Sequence, residues 1–459
     1  MFANPPVGLF AFVGVVSKAY WCVLGGGRVV TPGRGRGFPD DGSCYTTVTR
    51  ALDVPETTFT GPDLTTFLGL DALKLTAVGW RPTQLVVRVR RFVCTHCCRV
   101  WRQDTSSLAE PRARLTRSVV EWGLRALALE CMSVSRVAAA LGVAWHTAST
   151  AILASAQAML LDDPHRFDGV EVLGVDEHVW RHTRRGDKYV TVVIDLTPVR
   201  DRSGPARLLD VAPGRSKKVL KTWLAQRDQA WRQRVEVVAM DGFTGFKSAA
   251  DQELPEARTV MDPFHVVSLA AGKVDECRRR TQQAITGRRG RQGDPLYRAW
   301  RTLRTGAGLL TDAQAERLEA LFADERHAAV QASWGVYQRL IQAYRAEDPG
   351  LGKHLMRRLI SSLRQAVPDG LEEVGALART LTERSADILA YFDHPGSSNG
   401  PTEAVNGRLE HLRGIALGFR NLASYTIRSL IHAGRLKDRL APKKAAKIAA
   451  IVAVILTPK

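Results

Sequence analysis

The sequence has few cysteines, no long apolar run and a deficit of acidic side chains. Its seven cysteines, an odd number spread over 459 residues, do not form a disulfide framework, so we expect a reducing compartment. No run approaches the roughly 18 apolar residues of a membrane span. The apolar stretch 7–16 has no Lys or Arg before it, unlike a secretory signal. These absences argue against secreted and membrane classes and predict a cytoplasmic protein.

The charge balance is strongly basic. The chain has 65 Lys and Arg against 46 Asp and Glu, a formal net charge of +19 and a pI of about 10.0. Such a balance predicts a polyanionic partner, most simply nucleic acid, and the alternative is a basic protein without one. Because 45% of the residues are hydrophobic and the chain is long, we expect a globular protein with about two to four domains.

Three acidic residues far apart in the chain carry the functional interpretation. Asp176 ends the apolar run Val-Glu-Val-Leu-Gly-Val, and Asp241 ends a second run, Val-Glu-Val-Val-Ala-Met. Glu403 lies in a helical pattern that begins near Pro401. Two carboxylates at strand ends and one on a helix are able to hold two divalent cations about 4 Å apart, a pair that drives in-line displacement at phosphorus.

The hydrophobic period changes from helical to strand-like near residue 170. Three candidate strands follow in quick succession, and then helix and strand alternate. The candidate strands are residues 170–176, 189–196, 207–211, 235–241 and 258–261, with a helix at about 215–231. Residues 265–395 are helical in pattern, with loops at 287–293 and 348–352. This order predicts a ribonuclease-H-like α/β domain with a large all-helical insertion, by analogy at the level of the fold.

In such a sheet the first and fourth strands are neighbours, so Asp176 and Asp241 are predicted to lie close together. Two adjacent carboxylates repel each other unless a cation lies between them. Mg²⁺ prefers these hard oxygen ligands and keeps waters that phosphate replaces. The alternative is an aspartate that only forms a turn at a strand end. Asp195 is the best competing candidate, whereas Glu177 points to the opposite side of a continuing strand.

The third acid lies on a patterned helix. Glu403, Asn406, Glu410 and Arg413 recur at the intervals of one helical face, opposite an apolar face. The alternative is the polar face of an ordinary amphipathic helix. The tight polar loop just before Pro401 favours a positioned helix start, and therefore a functional Glu403.

The region before residue 113 is irregular in sequence. Residues 1–56 are rich in Gly, Pro and Val without a sustained period, and we expect them to be poorly ordered. A strand at 84–93 leads into Cys94-Thr-His-Cys97, the usual opening of a zinc ribbon. Two thiolates do not complete a four-ligand site. A ribbon remnant is therefore favoured over bound Zn²⁺, with Cys94 and Cys97 as the candidate ligands.

Three helical patterns occupy residues 116 to about 160. Thr116 and Ser133 are candidate N-caps of the first two helices, and Gly142 ends the second. This spacing is typical of a helix-turn-helix, and an ordinary three-helix bundle is the alternative. If the unit docks on DNA, the start of the third helix faces the major groove. The residues near that start are Trp145, His146, Thr147, Ser149 and Thr150.

Arginine clusters in the helical stretch are candidate phosphate contacts, with a solvated loop as the alternative. They comprise Arg278, Arg279, Arg280, Arg288 and Arg289. His265, in Asp-Pro-Phe-His, marks the start of the same stretch. A lone histidine at a helix start is more often structural than catalytic.

Four short motifs follow one another along the chain. They are Gly-Val-Asp-Glu at 174–177, Ala-Met-Asp-Gly at 239–242, Asp-Pro-Phe-His-Val-Val at 262–267, and Ser-Asn-Gly-Pro-Thr-Glu-Ala-Val-Asn-Gly-Arg at 398–408 followed by Gly-Phe-Arg-Asn at 418–421. Together they resemble the transposases of bacterial insertion sequences, in the family usually called IS-L-three. The resemblance covers about residues 57–435 and includes the cysteine stretch and the helix-turn-helix. It implies a DDE triad of Asp176, Asp241 and Glu403.

The chain departs from that family in one place. Family members carry an earlier Cys-x-x-Cys pair, which is missing here where residues 70–79 run directly into 80–83, as after an internal deletion. The sequence thus predicts seven segments. They are an unmatched N-terminus (1–56), a truncated zinc-ribbon-like region (57–112), a helix-turn-helix domain (113–165), the first part of the catalytic core (166–264), a helical insertion (265–395), the last part of the core (396–437) and a basic and apolar tail (438–459).

The expected function is a DNA transposase that cuts insertion-sequence ends and joins them to target DNA. Water attacks the scissile phosphate and leaves a 3′-hydroxyl, which then attacks target DNA. We expect two Mg²⁺ ions, replaceable by Mn²⁺, double-stranded terminal repeats and target DNA as partners, and at least a homodimer, because an element has two ends. The alternatives are a degraded copy that only binds DNA, and a ribonuclease-H-like nuclease acting on RNA or branched DNA.

Overall fold

The computed structural model describes residues 105–106, 108–183 and 187–440 in full, together with the backbone of seven strands nearer the N-terminus. These strands are β1 (Gly14–Val16), β2 (Ala19–Val23), β3 (Val29–Val30), β4 (Leu70–Val78), β5 (Arg81–Arg88), β6 (Arg91–Val93) and β7 (Val100–Arg102). Strand β2 pairs antiparallel with β1 and β3, β4 with β5, and β6 with β7. The chain forms two compact units, residues 1–159 and 160–459.

The N-terminal strands bear on two expectations. Strands β1 to β3 lie within residues 1–56, the stretch expected to be poorly ordered, and that expectation stays a prediction. The strand predicted at 84–93 is divided between the end of β5 and the whole of β6. Cys94 and Cys97, the candidate zinc ligands, lie outside the described residues. The prediction of a zinc-ribbon remnant therefore stays a prediction.

Three helices complete the first unit. They are α1 (Arg117–Ala128), α2 (Val134–Leu141) and α3 (Trp145–Leu160). Thr116 accepts the Val119 N–H, and Ser133 accepts the Arg136 N–H, which confirms both predicted caps. Gly142 ends α2 with φ +61, a left-handed conformation that glycine adopts at little cost. Helix α3 then runs at 114° to α2.

The helices are short or polar relative to a membrane span. Within the described ranges, no single helix is both long and apolar enough to cross a membrane. Helices α2 and α3 together have the required length and hydropathy, but the chain bends sharply between them.

A five-stranded mixed sheet lies at the centre of the second unit. Its strands are β8 (Val172–Val179), β9 (Tyr189–Asp195), β10 (Arg207–Pro213), β11 (Val237–Met240) and β12 (Arg258–Met261). The spatial order is β10-β9-β8-β11-β12. Strand β9 is antiparallel to β8 and β10, whereas β11 is parallel to β8 and β12. The first and fourth strands of this sheet are therefore neighbours, as predicted.

Short helices connect the strands and cover one face of the sheet. They are α4 (Thr197–Arg200), α5 (Lys217–Ala225), α6 (Gln229–Arg234) and α7 (Thr244–Glu253). The helix predicted at 215–231 is thus two helices, because Asp228 begins a new one by accepting the Trp231 N–H at 2.7 Å. Buried side chains such as Leu220, Trp223 and Phe246 pack there against the sheet. Strand β11 lies between β8 and β12 and is buried along its whole length.

A helical domain is inserted between β12 and the last helices. It comprises α8 (Pro263–Thr286), α9 (Pro295–Arg298), α10 (Trp300–Leu303), α11 (Asp312–Phe322), α12 (Ala328–Tyr344), α13 (Pro349–Gln365), α14 (Glu372–Glu383) and α15 (Ser385–Asp393), with 3-10 turns at Ala307–Leu309 and Glu325–His327. The loop predicted at 348–352 is wrong, because α13 begins at Pro349 with Asp348 as its cap. A hydrophobic core of its own, including Val274, Leu340 and Met356, holds these helices together.

Three helices follow the insertion and return to the sheet. They are α16 (Gly400–Ile415), α17 (Leu422–Ala433) and α18 (Leu436–Leu440). Helix α16 contacts β8, α17 packs against β10, and α15 packs against β12. Pro401 lies in the first turn of α16, as predicted. The helix that carries Glu403 is thus placed beside the strand that carries Asp176.

Candidate active site

Asp176 lies within β8 rather than at its end. The strand continues to Val179, and Asp176 is opposite Val192 of β9. The expectation that Asp176 ends its strand is therefore wrong, because pairing with β9 extends β8 beyond the apolar run. One carboxylate oxygen of Asp176 accepts the Glu177 N–H at 2.8 Å, and the other accepts from the Asn406 side-chain amide at 2.8 Å. The carboxylate is thus fixed in orientation by two donors.

Asp241 follows β11 directly. The parallel register pairs Met240 with Val175, so the residue after each of them, Asp241 and Asp176, lies at the same level on adjacent strands. Asp241 Oδ1 accepts the Phe243 N–H at 2.9 Å, which holds the turn into α7. Parallel strand register therefore brings together two acids that are 65 residues apart in sequence.

Glu403 lies in the first turn of α16 and is exposed. The opposite face of the helix is buried through Val405, Leu409 and Leu412, as its pattern predicts. Asn406, almost one turn after Glu403, donates the bond to Asp176. The polar face of α16 is therefore directed at the strand acids, and it is not simply solvated.

The three acids interact electrostatically. Burial is the largest cause that raises the pKa of Asp176 from 3.8 to about 7, and the charges of Asp241, Glu177 and Glu403 raise it further against the opposing Glu177 N–H bond. The pKa of Glu403 is also raised, by partial burial and by the charge of Asp262. Carboxylates in this arrangement resist ionising together, and a divalent cation relieves that repulsion.

A divalent cation fits this donor set. The three acids supply hard carboxylate oxygens of the kind that Mg²⁺ and Mn²⁺ prefer. Across residues 105–106, 108–183 and 187–440, no three His, Cys, Asp or Glu side chains already stand close enough to ligate one ion together. The carboxylates are nevertheless coupled in charge. Asp176, Asp241 and Glu403 are the residues that would hold it.

Gly174 explains how helix α16 approaches β8 so closely. A Cβ atom at this position would lie 2.6 Å from the hydroxyl oxygen of Thr402 and 3.2 Å from the side-chain oxygen of Asn399. Real Cβ atoms do not tolerate the shorter of these distances. The glycine two residues before Asp176 is therefore required for the helix start to reach the strand.

Sequence reasoning missed two side chains that organise the site. Asp262 is 3% exposed and accepts the backbone N–H of Asn399 at 2.7 Å. Arg384, in the loop before α15, donates to the carbonyl of Gly242 at 3.1 Å, next to Asp241. Asp262 stood in a recognised motif, so a signal was present for it. Arg384 lies 142 residues from Gly242, so no local sequence pattern indicated that contact.

The other acids near the site have different environments. Asp195 is buried, pairs with Arg207 at 2.8 Å and accepts the Thr197 N–H at 2.9 Å, so it is engaged in a structural network. Glu177 is exposed and pairs with Arg215 on the other side of β8. These contacts distinguish both competitors from Asp176. His265 lies against Gly242, since a Cβ there would be 2.7 Å from its Nε2 atom.

The candidate DNA contacts of α3 do not all face outward. Trp145 is 55% exposed, His146 and Thr150 are exposed, and Thr147 is half-buried. Ser149 is 6% exposed and lies on the side of the helix that packs on its neighbours, so its expected place on the DNA face is not supported by its burial. The outward set is therefore reduced to the other four residues.

The arginines of α8 and its following loop also differ in exposure. Arg278 is 7% exposed, bonds to Asp275 and Gln282, and is unsuited to contact phosphate. Arg280 pairs with Glu372 and Glu373 of α14. In contrast, the side chains of the other three arginines are exposed to solvent. Arg279 is 62% exposed and pairs with Asp275, Arg288 is 42% exposed and pairs with Asp294, and Arg289 is exposed.

Comparison with known protein families identifies the chain. A family model for transposases, of the IS-L-three DDE type, matches residues 173–429. That span is more than half of the chain and contains Asp176, Asp241 and Glu403. The chain belongs to the IS-L-three family of DDE transposases. The sequence motifs had predicted this family, and the match confirms it.

Two curated relatives of this transposase-family chain support the assignment. It is 26% identical over 298 residues to the transposase for insertion sequence element IS1001 of Bordetella parapertussis, covering 64% of this chain and 68% of that protein. It is 28% identical over 319 residues to the transposase for insertion sequence element IS1557 of Mycobacterium tuberculosis, covering 64% and 67%. Membership of the family supports a DNA-processing enzyme that binds DNA.

Proposed function

We propose that this protein is a DNA transposase that cleaves the ends of its insertion sequence and joins them to target DNA. The observation that carries the proposal is the bond from Asn406 to Asp176, 230 residues apart, which brings the Glu403 helix to the strand acids. The strand order, with three antiparallel strands and two parallel ones, supports a ribonuclease-H-like core.

The chain's own residues perform most of the positioning. Two Mg²⁺ ions, or Mn²⁺ in their place, would activate water and stabilise the leaving 3′-oxygen of an in-line displacement at phosphorus. Asp176, whose carboxylate is oriented by Glu177 and Asn406, would be a ligand of the ions. Asp241 and Glu403 face it from the neighbouring strand and the helix. The same site then positions the 3′-hydroxyl for attack on target DNA.

DNA recognition is proposed for the three-helix segment of the first unit. The 114° angle between α2 and α3, with Gly142 at the turn, has the geometry of a helix-turn-helix. Trp145, His146 and Thr150 are exposed at the start of α3, where a recognition helix contacts base edges. The net charge of +19 favours the approach of DNA. Since an element has two ends, we propose at least a homodimer on DNA.

The decisive test compares Asp241→Asn with Glu177→Gln in strand cleavage of labelled element ends in Mg²⁺. The Asp241 variant is expected to lose cleavage by about a thousandfold or more, because the site loses a charged ligand of the ions. End binding in a band-shift assay should stay within about twofold. Glu177, exposed and paired with Arg215, supplies the matched control and should cleave normally. Full cleavage by Asp241→Asn refutes the assignment.

The same assays address the second hypothesis of a degraded copy that only binds DNA. Wild-type protein that shifts element ends but never cuts them, in Mg²⁺ or Mn²⁺, would support that alternative. For the DNA-binding unit, Trp145→Ala should weaken end binding about tenfold without changing the melting temperature, since its side chain is largely exposed. Leu129→Ala, at a 43% exposed position after α1, is the control. Equal binding of element ends by both variants would show that Trp145 of α3 does not contact the DNA.

A further inference from the structure

The buried carboxylate of Asp262 joins two distant parts of the chain. Asp262 follows β12 and is the N-cap of α8, the first helix of the insertion. Its Oδ2 atom accepts the His265 N–H at 3.0 Å, as an N-cap does. Its Oδ1 atom accepts the Asn399 N–H at 2.7 Å, 137 residues later, where the insertion ends. One side chain therefore holds the entrance and the exit of the helical domain together.

Asn399 in turn forms hydrogen bonds with residues next to the candidate acids. Its carbonyl accepts the N–H groups of Thr402 at 2.8 Å and Glu403 at 3.1 Å, which forms the first turn of α16. Its side-chain amide donates to the carbonyl of Val175 at 3.4 Å, one residue before Asp176. The backbone of Glu403 is thus a single hydrogen bond from Asn399, and Asn399 is a single hydrogen bond from Asp262.

Asp262 is poorly suited to be a metal ligand itself. It is 3% exposed, so its carboxylate is closed to solvent, whereas Asp176 is only partly buried. Both oxygens of Asp262 accept backbone N–H groups, at 2.7 and 3.0 Å. Burial raises the pKa of Asp262, while these N–H bonds oppose the change. Its charge is nevertheless felt by Glu403. The carboxylate therefore lies behind the site and acts through the backbone.

A second Asp-Pro helix cap in the same domain shows what an ordinary cap looks like. Asp348 precedes Pro349 and caps α13 with both oxygens, accepting from Gly350 at 3.2 Å and Leu351 at 2.8 Å. Both of its partners belong to its own helix. Only one oxygen of Asp262 accepts from its own helix, and the other accepts the N–H of Asn399, 137 residues away. This difference separates a positioning role from capping.

We propose that Asp262 is a positioning residue that sets the location of Glu403 relative to Asp176 by fixing Asn399 at the start of α16. The inference rests on the proposed function only in assigning the three acids to one metal-dependent site. Loss of the Asp262–Asn399 bond frees the loop before α16, so Glu403 no longer meets the strand acids in a fixed geometry. Displacements of about 1 Å in such sites cost on the order of a hundredfold in rate.

The test uses Asp262→Ser and Asp348→Ser in the full chain. Serine keeps an oxygen for capping but cannot also hold a second partner, so both variants lose one acceptor from an Asp-Pro cap. Three readouts are compared: melting temperature without metal, Mn²⁺ affinity by electron paramagnetic resonance, and end cleavage across a Mg²⁺ titration. Asp262→Asn, which preserves side-chain volume and one carbonyl oxygen, replaces the serine variant if that protein does not fold.

For Asp262→Ser we expect roughly tenfold weaker Mn²⁺ binding, a similar rise in the Mg²⁺ concentration for half-maximal cleavage, and about 10–100-fold slower cleavage. Asp348→Ser should match wild type in metal affinity and cleavage, whatever its melting temperature. An Asp262 variant that folds and keeps wild-type Mn²⁺ affinity overturns the inference. If wild type binds Mn²⁺ but cuts no DNA, the proposed function fails, and the Mn²⁺ comparison still decides the role of Asp262.

Discussion

The strand side and the helix side of the site are built differently. Asp176 and Asp241 are placed by strand register, which pairs Val175 with Met240 over a continuous buried sheet. Glu403 is exposed on a helix that arrives after the whole helical insertion. The strand acids are therefore held by many backbone bonds, whereas Glu403 depends on a few side-chain contacts. The helix side is expected to be the adjustable half of the site.

The two sides of the site should therefore respond differently to substitution. On the strand side a substitution removes a proposed ligand but leaves the sheet intact. On the helix side the frame itself consists of identified contacts, from Asp262 to Asn399, from Asn406 to Asp176, and from α16 onto Gly174. Changes there should misplace Glu403 without touching its carboxylate.

The largest effect is expected from Glu403→Gln. Removing the charge on the helix side should lower end cleavage by about a thousandfold or more, equal to loss of a strand acid, because all three carboxylates are needed to hold the ions. Gel assays of nicked ends measure it. Glu410→Gln, two turns further along α16 and paired with Arg413, is the control and should cleave normally. A small effect at Glu403 would mean that the helix contributes no ligand.

Gly174→Ala should disturb the helix side without removing any acid. The added methyl group would meet Thr402 at 2.6 Å, so α16 must shift or the protein loses about 1–3 kcal/mol of stability. Cleavage should fall about 10–100-fold as Glu403 moves. Gly272→Ala in α8, which has open space around it, should gain up to about 1 kcal/mol and cleave normally. Chemical denaturation and end cleavage distinguish the two variants, and equal behaviour would contradict the close approach.

Asn406→Ala removes the bond that joins the two sides directly. Loss of its donor to Asp176 should slow cleavage about tenfold, less than loss of an acid, because the ions can still hold the carboxylates. The ionised form of Asp176 loses a donor, so the metal-free pKa of that carboxyl should rise further. A pH titration followed by carboxyl carbon NMR, with Asn406→Asp alongside, measures this shift. An unchanged titration would show that the bond does not form in solution.

The smallest effect concerns stability of the metal-free protein. Burial and neighbouring carboxylates raise the pKa of Asp176 to about 7 from 3.8 in the unfolded chain. Stability is therefore fully present below pH 3.8 as far as this group is concerned, and is lost as pH rises towards 7, where the folded protein must release a proton it prefers to keep. Asp176→Asn should remove that loss and melt a few degrees higher than wild type at pH 8. No difference between pH 5 and pH 8 would contradict the shift.

Much of the sheet was predictable from hydrophobic patterns. Alternation and turn residues predicted all five strands of the second unit, and the order of elements predicted that β8 and β11 are neighbours. The helix caps Thr116, Ser133 and Gly142 were also predicted, because capping depends on local chemistry. The break between α5 and α6 and the extension of β8 beyond Asp176 were missed, since tertiary pairing decides element ends.

The three candidate acids were indicated by the sequence, but the contacts that support them were not. Strand ends and one patterned helix indicated Asp176, Asp241 and Glu403 without any knowledge of contacts. The bond between Asp262 and Asn399 joins residues 137 positions apart, and the bond between Arg384 and Gly242 joins residues 142 positions apart. Hydrophobic periodicity reports only on local structure, so it cannot predict such pairs. The exposure of individual polar side chains was equally hidden in the sequence. Ser149 and Arg278 looked like DNA contacts in sequence, yet both are buried.

The most direct test of the convergence of three acids is a count of bound Mn²⁺ by electron paramagnetic resonance, without DNA chemistry. Wild type and Glu177→Gln should bind about two ions per chain with the spectrum of a coupled pair. Asp176→Asn, Asp241→Asn and Glu403→Gln should each lose the coupled pair at the same concentration. If all three variants keep the wild-type stoichiometry and spectrum, the acids do not share a site, and the proposed catalytic mechanism is contradicted.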